Sequence, residues 1–152
     1  MTAQWMGIMG EHANSVAPLL VSTEQGYLKS TFCKSLLPAA LQRYYMDKVD
    51  LTSEGRVERR LAEMGLLNLD EFDKYPPTKM PLLKNLMQMA SLSLCKAYQK
   101  NHRSLPRIAS FIGTSNRKEL LTDPTGSRRF ICVMVKRPID CNGIEHKQIY
   151  AQ

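Results

Sequence analysis

The feature that most constrains this chain is a series of short apolar runs, separated by segments in which apolar residues recur at helical spacing. The runs cover residues 16–22, 66–72, 108–116 and 128–135. Runs of this length, bounded by polar residues, are typical of buried strands. Strands that alternate with helices predict an α/β fold, with a mostly parallel central sheet covered by helices on both faces as a three-layer sandwich.

Four segments are predicted to be helical, and one to be a hairpin. The helical segments are residues 1–13, 29–45, 52–65 and 76–93. Pro38 is expected to end or bend the second of them, because proline cannot continue a helix. Residues 92–107 first alternate between apolar and polar and then become strongly basic, which predicts a hairpin with a charged tip.

Length and composition indicate the kind of partner and the compartment. The 152 residues fit one domain, which we expect to be a fragment of a longer protein. A net charge of +7 favours phosphate ligands or nucleic acid, although a merely soluble basic surface fits the charge equally well. The four cysteines form no C-x-x-C pair and lie mostly in apolar stretches, which favours a reducing, cytoplasmic location. No apolar run approaches the roughly 18 residues of a membrane span. The first residues lack a basic leader, so we do not expect secretion.

The segment after the first run, STEQGYLKST at residues 22–31, resembles a phosphate-binding loop. The usual loop reads G-x-x-x-x-G-K-[ST] between a strand and a helix. When the lysine is aligned on Lys29, Ser30 takes the hydroxyl position, but Thr23 and Leu28 replace both glycines. A non-glycine residue in a left-handed conformation costs about 1–2 kcal/mol, so the replacement weakens the motif without excluding a nucleotide.

The chemistry of such a loop assigns a role to each part. Backbone N–H groups cradle the phosphates, Lys29 reaches the outer phosphates, and the Ser30 hydroxyl ligates Mg²⁺. Gly26 can supply one unusual backbone angle. The residues predicted to bind the nucleotide are Gln25, Gly26, Tyr27, Leu28, Lys29, Ser30 and Thr31.

Polar residues also end the next two strands. Asp70 and Glu71 follow the second run, and as neighbours on a strand they are expected to point to opposite sides. Asp70 would hold Mg²⁺, directly or through water, and Glu71 would polarise the attacking water. Asn116 ends the third run, where its amide can orient water or the terminal phosphate. Because ligands gather at the carboxyl ends of parallel strands, all these side chains are expected at one site.

The order and spacing of these segments resemble the virulence-associated protein E family. The segments QGYLKSTF, LLNLDEFD, FIGTSN and LLTDPTGSRRF carry the resemblance, which covers roughly residues 16–135. Members of the family are P-loop ATPases of mobile elements and prophages, similar to superfamily 3 helicases and often joined to primase-type domains. The resemblance therefore implies a P-loop NTPase fold of the AAA+/superfamily 3 type, with ATP and Mg²⁺ as ligands and a homo-oligomeric ring in the full-length protein.

The resemblance also implies roles for individual residues. Lys29 and Ser30 would act as the Walker A pair, Asp70 and Glu71 as the Walker B pair, and Asn116 as a sensor.

Arg128 or Arg129 would be an arginine finger that acts across a subunit boundary. Placed on a strand, the two side chains would face opposite ways, so only one could reach the neighbouring subunit.

A DNA-binding role is implied for the predicted hairpin. In superfamily 3 helicases a hairpin lies between the strand that ends in the carboxylates and the strand that ends in the sensor residue. That hairpin projects into the central channel and binds DNA. The residues assigned to single-stranded DNA on this basis are Lys96, Lys100, His102 and Arg103. A solvated basic turn is the alternative interpretation of the same residues.

Three functions remain open from the sequence. The first is the ATPase core of a primase–helicase-like replication protein. The second is a non-catalytic module that binds nucleotide or nucleic acid through the same fold. The third is a basic DNA-binding domain without a nucleotide site.

Overall fold

The computed structural model describes residues 14–52, 54–95, 102–117 and 127–150. The elements in chain order are β1 (Ala17–Val21), α1 (Lys29–Ser35), β2 (Tyr45–Met46), α2 (Glu54–Glu63), β3 (Leu66–Leu69), α3 (Met80–Gln88), β4 (Ser91–Cys95), β5 (His102–Pro106), β6 (Ser110–Ser115), β7 (Phe130–Met134) and α4 (His146–Ile149). The helix predicted over residues 1–13 lies outside the described residues.

Five of the strands form a sheet in the order β2–β3–β6–β1–β7, and each described pair of neighbours is parallel. The prediction of a mostly parallel central sheet is therefore confirmed. A parallel arrangement brings the carboxyl ends of all these strands to one edge of the sheet. The polar segments that follow β1, β3 and β6 consequently meet there.

Apolar side chains project from both faces of the sheet. In β1, Leu19 and Val21 belong to one buried cluster and Leu20 to the other, as the alternation of side chains along a strand requires. The first cluster includes Val57 of α2 and the buried stripe of α3. The second includes Cys33 of α1. Helices thus cover both faces, as the sequence predicted.

Gly113 lets the central strands pack closely near the polar edge. It lies in β6 opposite Leu19 on one side and Leu69 on the other. A Cβ atom at this position would lie 2.7 Å from Leu19 Cδ1 and 3.1 Å from the Leu69 carbonyl oxygen. Only glycine fits here without displacing its neighbours.

Two predicted helices are shorter in the structure. The helix predicted over residues 29–45 ends at Ser35, and Pro38 precedes a separate 3₁₀ turn, Ala39–Tyr44. The helix predicted over 76–93 is reduced to α3, because a 3₁₀ turn (Pro77–Lys79) precedes it and β4 begins at Ser91.

The predicted hairpin over residues 92–107 is confirmed, since β4 and β5 pair as antiparallel strands. Within the described part of the chain, no helix is long and apolar enough to cross a membrane.

Candidate functional site

A cavity of about 290 Å³ lies at the carboxyl ends of β1, β3 and β6. Its lining residues are Gln25, Gly26, Tyr27, Leu28, Lys29, Ser30, Thr31, Asp70, Glu71, Thr114 and Asn116. The structure therefore brings the whole candidate loop to the same cavity as both carboxylates and the amide that the sequence analysis selected.

Lys29 carries a buried positive charge at this cavity. It is the first residue of α1 and is only 8% exposed. Its Nζ donates hydrogen bonds to Ser22 Oγ and, at 2.9 Å, to Asn116 Oδ1. Burial lowers the pKa of Lys29, and the negative charges of Asp70 and Asp73 act in the opposite direction. Both of these direct partners are neutral oxygens, and Lys29 forms no ion pair within the described residues. Asp70 and Asp73 offset part of its charge without contacting it, and an anion in the cavity would supply a direct counter-ion.

Asp70 connects the loop to two strands. Its Oδ1 accepts hydrogen bonds from Ser30 Oγ and from Thr114 Oγ1, both at 2.7 Å. Thr114 Oγ1 in turn accepts the backbone N–H of Glu71 at 3.1 Å. Carboxylate and hydroxyl oxygens that converge in this way are suitable ligands for Mg²⁺.

Glu71 corrects one prediction. Strand β3 ends at Leu69, so Asp70 and Glu71 lie in the turn beyond it rather than on the strand. Glu71 adopts a left-handed backbone conformation, with φ 50° and ψ 50°. Both carboxylates therefore line the same cavity, and the prediction that they point to opposite sides of a strand is wrong. The Glu71 carboxylate forms an ion pair with Lys74.

Two residues missed by the sequence analysis position the predicted ones. Thr114 fixes Asp70, and Asp73 Oδ1 accepts hydrogen bonds from Ser115 Oγ at 2.9 Å and from the Asn116 N–H at 3.2 Å. Burial alone would raise the pKa of Asp73, but these hydrogen bonds outweigh it and the pKa is lowered. Thr114 carries a weak signal at most, because it is a hydroxyl residue next to the end of the strand, two residues before Asn116. Asp73 carries no comparable signal.

Two residues of the loop have positive φ angles, which glycine usually supplies. Leu28 stands immediately before α1 in a left-handed conformation, with φ 59° and ψ 24°, and Gly26 has φ 81°. Leu28, which aligns with the second glycine of the motif, therefore has a left-handed conformation that glycine adopts more easily. Thr23 does not have a positive φ.

Leu28→Gly is expected to raise the free energy of unfolding by up to about 1 kcal/mol. It removes the roughly 1–2 kcal/mol cost of the left-handed leucine, and the greater freedom of glycine in the unfolded chain offsets part of that gain. Leu41→Gly is the matched control, because Leu41 is similarly exposed but has no positive φ, and it should be destabilising. Urea denaturation measures both. Equal destabilisation by the two substitutions would contradict strain at Leu28.

The two candidate arginines lie elsewhere. Arg128 and Arg129 form part of a 3₁₀ turn, Ser127–Arg129, rather than of the strand predicted over 128–135, so the argument from strand alternation does not apply to them. They precede β7 and thus stand at the amino edge of the sheet, whereas the cavity lies at the carboxyl edge. Neither lines the cavity of its own chain.

The candidate DNA-binding residues fall on the hairpin or beyond the described ranges. His102 and Arg103 lie on β5, in register with Cys95 and Leu94 of β4. Lys96 and Lys100 lie outside the described residues.

The protein has an α/β fold with a mostly parallel central sheet, and a cavity with polar side chains lies at the carboxyl ends of the strands. The family model for the virulence-associated protein E-like domain matches residues 13–152, and the chain belongs to this family. The resemblance drawn from the sequence is confirmed at this level.

Solved structures of the NrS-1 C-terminal region share the fold. An apo structure of that region has a TM-score of 0.61 and 16% identity, with coverage of 97% of this chain and 38% of the NrS-1 chain. Its A form gives a TM-score of 0.58 at 16% identity, with coverage of 97% and 36%. This chain thus spans less than two fifths of the length of either solved chain. No curated protein matches the sequence.

Proposed function

We propose that this chain is the ATP-binding and ATP-hydrolysing core of a primase–helicase-like DNA replication protein of a mobile element or prophage. Membership of the virulence-associated protein E-like family supports a role in replication, and the NrS-1 C-terminal region shares the fold. The nucleotide chemistry rests on the cavity, and one observation carries it. A buried ammonium, that of Lys29, faces the cavity and has only neutral direct partners.

The phosphates of ATP suit this ammonium. A buried cation without a direct ion pair is costly, and a phosphate oxygen offsets that cost when it binds. Residues 25–31 line the same cavity, so their backbone N–H groups can add hydrogen bonds to the phosphates. On this proposal the fold is of the P-loop NTPase type, with Leu28 in the place of the second glycine.

The oxygen atoms beside the loop fit Mg²⁺. Ser30 Oγ and Asp70 Oδ1 already lie 2.7 Å apart, and Thr114 fixes the orientation of the carboxylate. On this proposal Ser30 and Asp70 hold the ion. Bound Mg²⁺ supplies positive charge against the phosphate oxygens.

Glu71 and Asn116 would carry out the hydrolytic chemistry. The Glu71 carboxylate takes a proton from water as the water oxygen bonds to the γ-phosphorus, the bond from that phosphorus to its bridging oxygen breaks, and ADP leaves. Asn116, whose backbone Asp73 holds, presents its amide toward the terminal phosphate. Lys29 stabilises the charge on the transferring group.

DNA and a second copy of the chain are the proposed partners. The net charge of +7 and the β4–β5 hairpin support contact with single-stranded DNA. Because Arg128 and Arg129 stand at the edge opposite the cavity, either could act on a nucleotide only from another copy, as in a ring.

A non-catalytic nucleotide-binding module is the second candidate, and two observations favour it. Leu28 strains the loop, and Lys74 forms an ion pair with the Glu71 carboxylate that hydrolysis requires. Measurement of ATP binding and phosphate release on the same ring-competent preparation separates the two functions. The proposal requires both, and binding without release would assign the module instead.

A further inference from the structure

A second cavity, of about 280 Å³, adjoins the first, and Asp70 and Glu71 line both of them. Its other lining residues lie within the segments 48–52 and 74–79. Lys74 lines this second cavity but not the first, and its ammonium forms an ion pair with Glu71 Oε1. The ion pair therefore draws the Glu71 carboxylate toward the second cavity and away from the candidate phosphate site.

The backbone that carries this ion pair is fixed in place. The Glu71 N–H donates to Thr114 Oγ1 at 3.1 Å, and the Glu71 carbonyl accepts the Lys74 N–H at 2.8 Å. Phe72 anchors the turn between the two residues, because it is buried and its ring packs against that of Phe130, with the ring centroids 4.7 Å apart. The Glu71 carboxylate can consequently change its position by rotation of the side chain, while the backbone stays where it is.

Glu71 is the principal partner of the Lys74 ammonium. The hydrogen bond with Glu71 is the largest cause that raises the pKa of Lys74, and the negative charges of Asp73 and Asp70 act in the same direction. Those two aspartates have other direct partners. Asp70 accepts hydrogen bonds from two hydroxyl groups, and Asp73 accepts one from a hydroxyl group and one from a backbone N–H.

We propose that Lys74 is a positioning residue that holds Glu71 in a resting position and so slows ATP hydrolysis, an inference that rests on the proposed function. The proton of the attacking water passes to the Glu71 carboxylate on the side of the first cavity, so the carboxylate has to leave the ammonium before each turnover. The side chains of Lys74 and Glu71 are 66% and 41% exposed, and ion pairs as exposed as this are weak. The restraint is therefore released easily, but it is large enough to measure.

The test measures phosphate release by the full-length, ring-competent protein and its Lys74→Ala variant across a range of ATP concentrations. The substitution should raise kcat by about two- to fivefold, the effect expected from loss of an exposed ion pair. KM for ATP should not change, because Lys74 does not line the candidate phosphate site. Lys74→Arg keeps a cation at this position and should restore the wild-type kcat.

Lys79→Ala is the matched control. Lys79 lines the same cavity and carries the same charge, but it forms no ion pair within the part of the chain that the structure describes. Its removal should leave kcat at the wild-type value. A rise in kcat that is equal in Lys74→Ala and Lys79→Ala would assign the effect to the overall charge of the cavity and would overturn the inference.

Two further measurements separate an electrostatic restraint from a change in the turn itself. Salt screens exposed charges, so the ratio of kcat in Lys74→Ala to kcat in wild type should fall toward one as the ionic strength rises. A turn that the substitution had merely loosened would keep the same ratio at every salt concentration. Acetylation by acetic anhydride, read by mass spectrometry with Lys79 as the internal reference, reports the ion pair without ATP. Lys74 should react faster in Glu71→Gln than in wild type, because an ammonium held by a carboxylate loses its proton less readily.

Failure of this inference differs from failure of the proposed function. If wild type hydrolyses ATP and Lys74→Ala is no faster, Lys74 does not restrain Glu71, although the proposed function stands. Equal acetylation of Lys74 in wild type and Glu71→Gln would also overturn the restraint, whatever the rate of hydrolysis. Absence of phosphate release from wild type and from every variant would instead overturn the proposed function, and the inference with it.

Discussion

Lys29→Ala is expected to weaken ATP binding by at least about 30-fold, because removal of one partner from a buried charge pair costs about 2–5 kcal/mol. Lys29 is the buried ammonium of the cavity, and its direct partners in the structure are the neutral oxygens of Ser22 and Asn116. A phosphate is thus the group that would gain most from its charge.

The nucleotide-free chain should tolerate the same substitution. Removal of Lys29 also removes the cost of burying its charge, so the melting temperature without nucleotide should change little. Lys34→Ala is the matched control, since Lys34 lies on the same helix but is exposed and does not line the cavity. Calorimetric titration with ATP measures all three proteins. Wild-type affinity in Lys29→Ala would remove this residue from the phosphate site.

Glu71→Gln is expected to reduce ATP hydrolysis by about 10²–10⁴-fold, the range for loss of a general base, and to leave ATP binding in place. Glutamine has nearly the same shape but cannot take the proton from water at neutral pH. The substitution also breaks the ion pair with Lys74, which is exposed and therefore contributes little to stability. Phosphate release by the full-length, ring-competent protein is the appropriate readout.

Glu63→Gln provides the comparison for Glu71→Gln. Glu63 also forms an exposed ion pair, with Arg60 at 3.2 Å, but it lies on α2 and lines neither cavity. Its loss should leave hydrolysis unchanged. If Glu71→Gln hydrolyses ATP as fast as Glu63→Gln, then Glu71 is not the base.

The sheet could be predicted because its strands are long enough to show their pattern. Runs 16–22 and 108–116 contain five and six strand residues in the structure, and both are buried almost throughout. Strand β2 contains two residues, Tyr45 and Met46, too few for any periodicity to appear. The helix predicted over residues 29–45 includes the first residue of β2, because helical spacing alone does not show that the helix ends at Ser35.

The candidate site could be predicted where a residue has a chemical role and a fixed place in the order. Ser30 and Asp70 are 40 positions apart, and their hydrogen bond shows that they lie together at one site, as the order of motifs predicted. Thr114 and Asp73 act on other side chains, so their roles become visible only when the strands are assembled. The left-handed conformation of Glu71 has no signal in the sequence, because the residue is not a glycine.

Arg107 shows a further limit. In the sequence it ends the basic stretch of residues 92–107, for which a hairpin with a charged tip is predicted, yet it is only 1% exposed. Its guanidinium donates to the carbonyls of Met89, Ala109 and Asn14, at 2.7, 2.9 and 2.7 Å, and burial lowers its pKa to about 10. Composition cannot separate such a buried structural arginine from its exposed neighbours.

Thermal melting with ATP and Mg²⁺ tests the central claim most directly. A ligand that binds only the native state stabilises it by about 2.7 kcal/mol at 100 times its Kd, so millimolar ATP with Mg²⁺ should raise the melting temperature of the wild-type chain by several degrees. The shift should shrink when EDTA removes Mg²⁺ and vanish in Lys29→Ala, while Lys34→Ala keeps it. An unchanged melting temperature in wild type at millimolar ATP and Mg²⁺ would contradict a nucleotide site at this cavity.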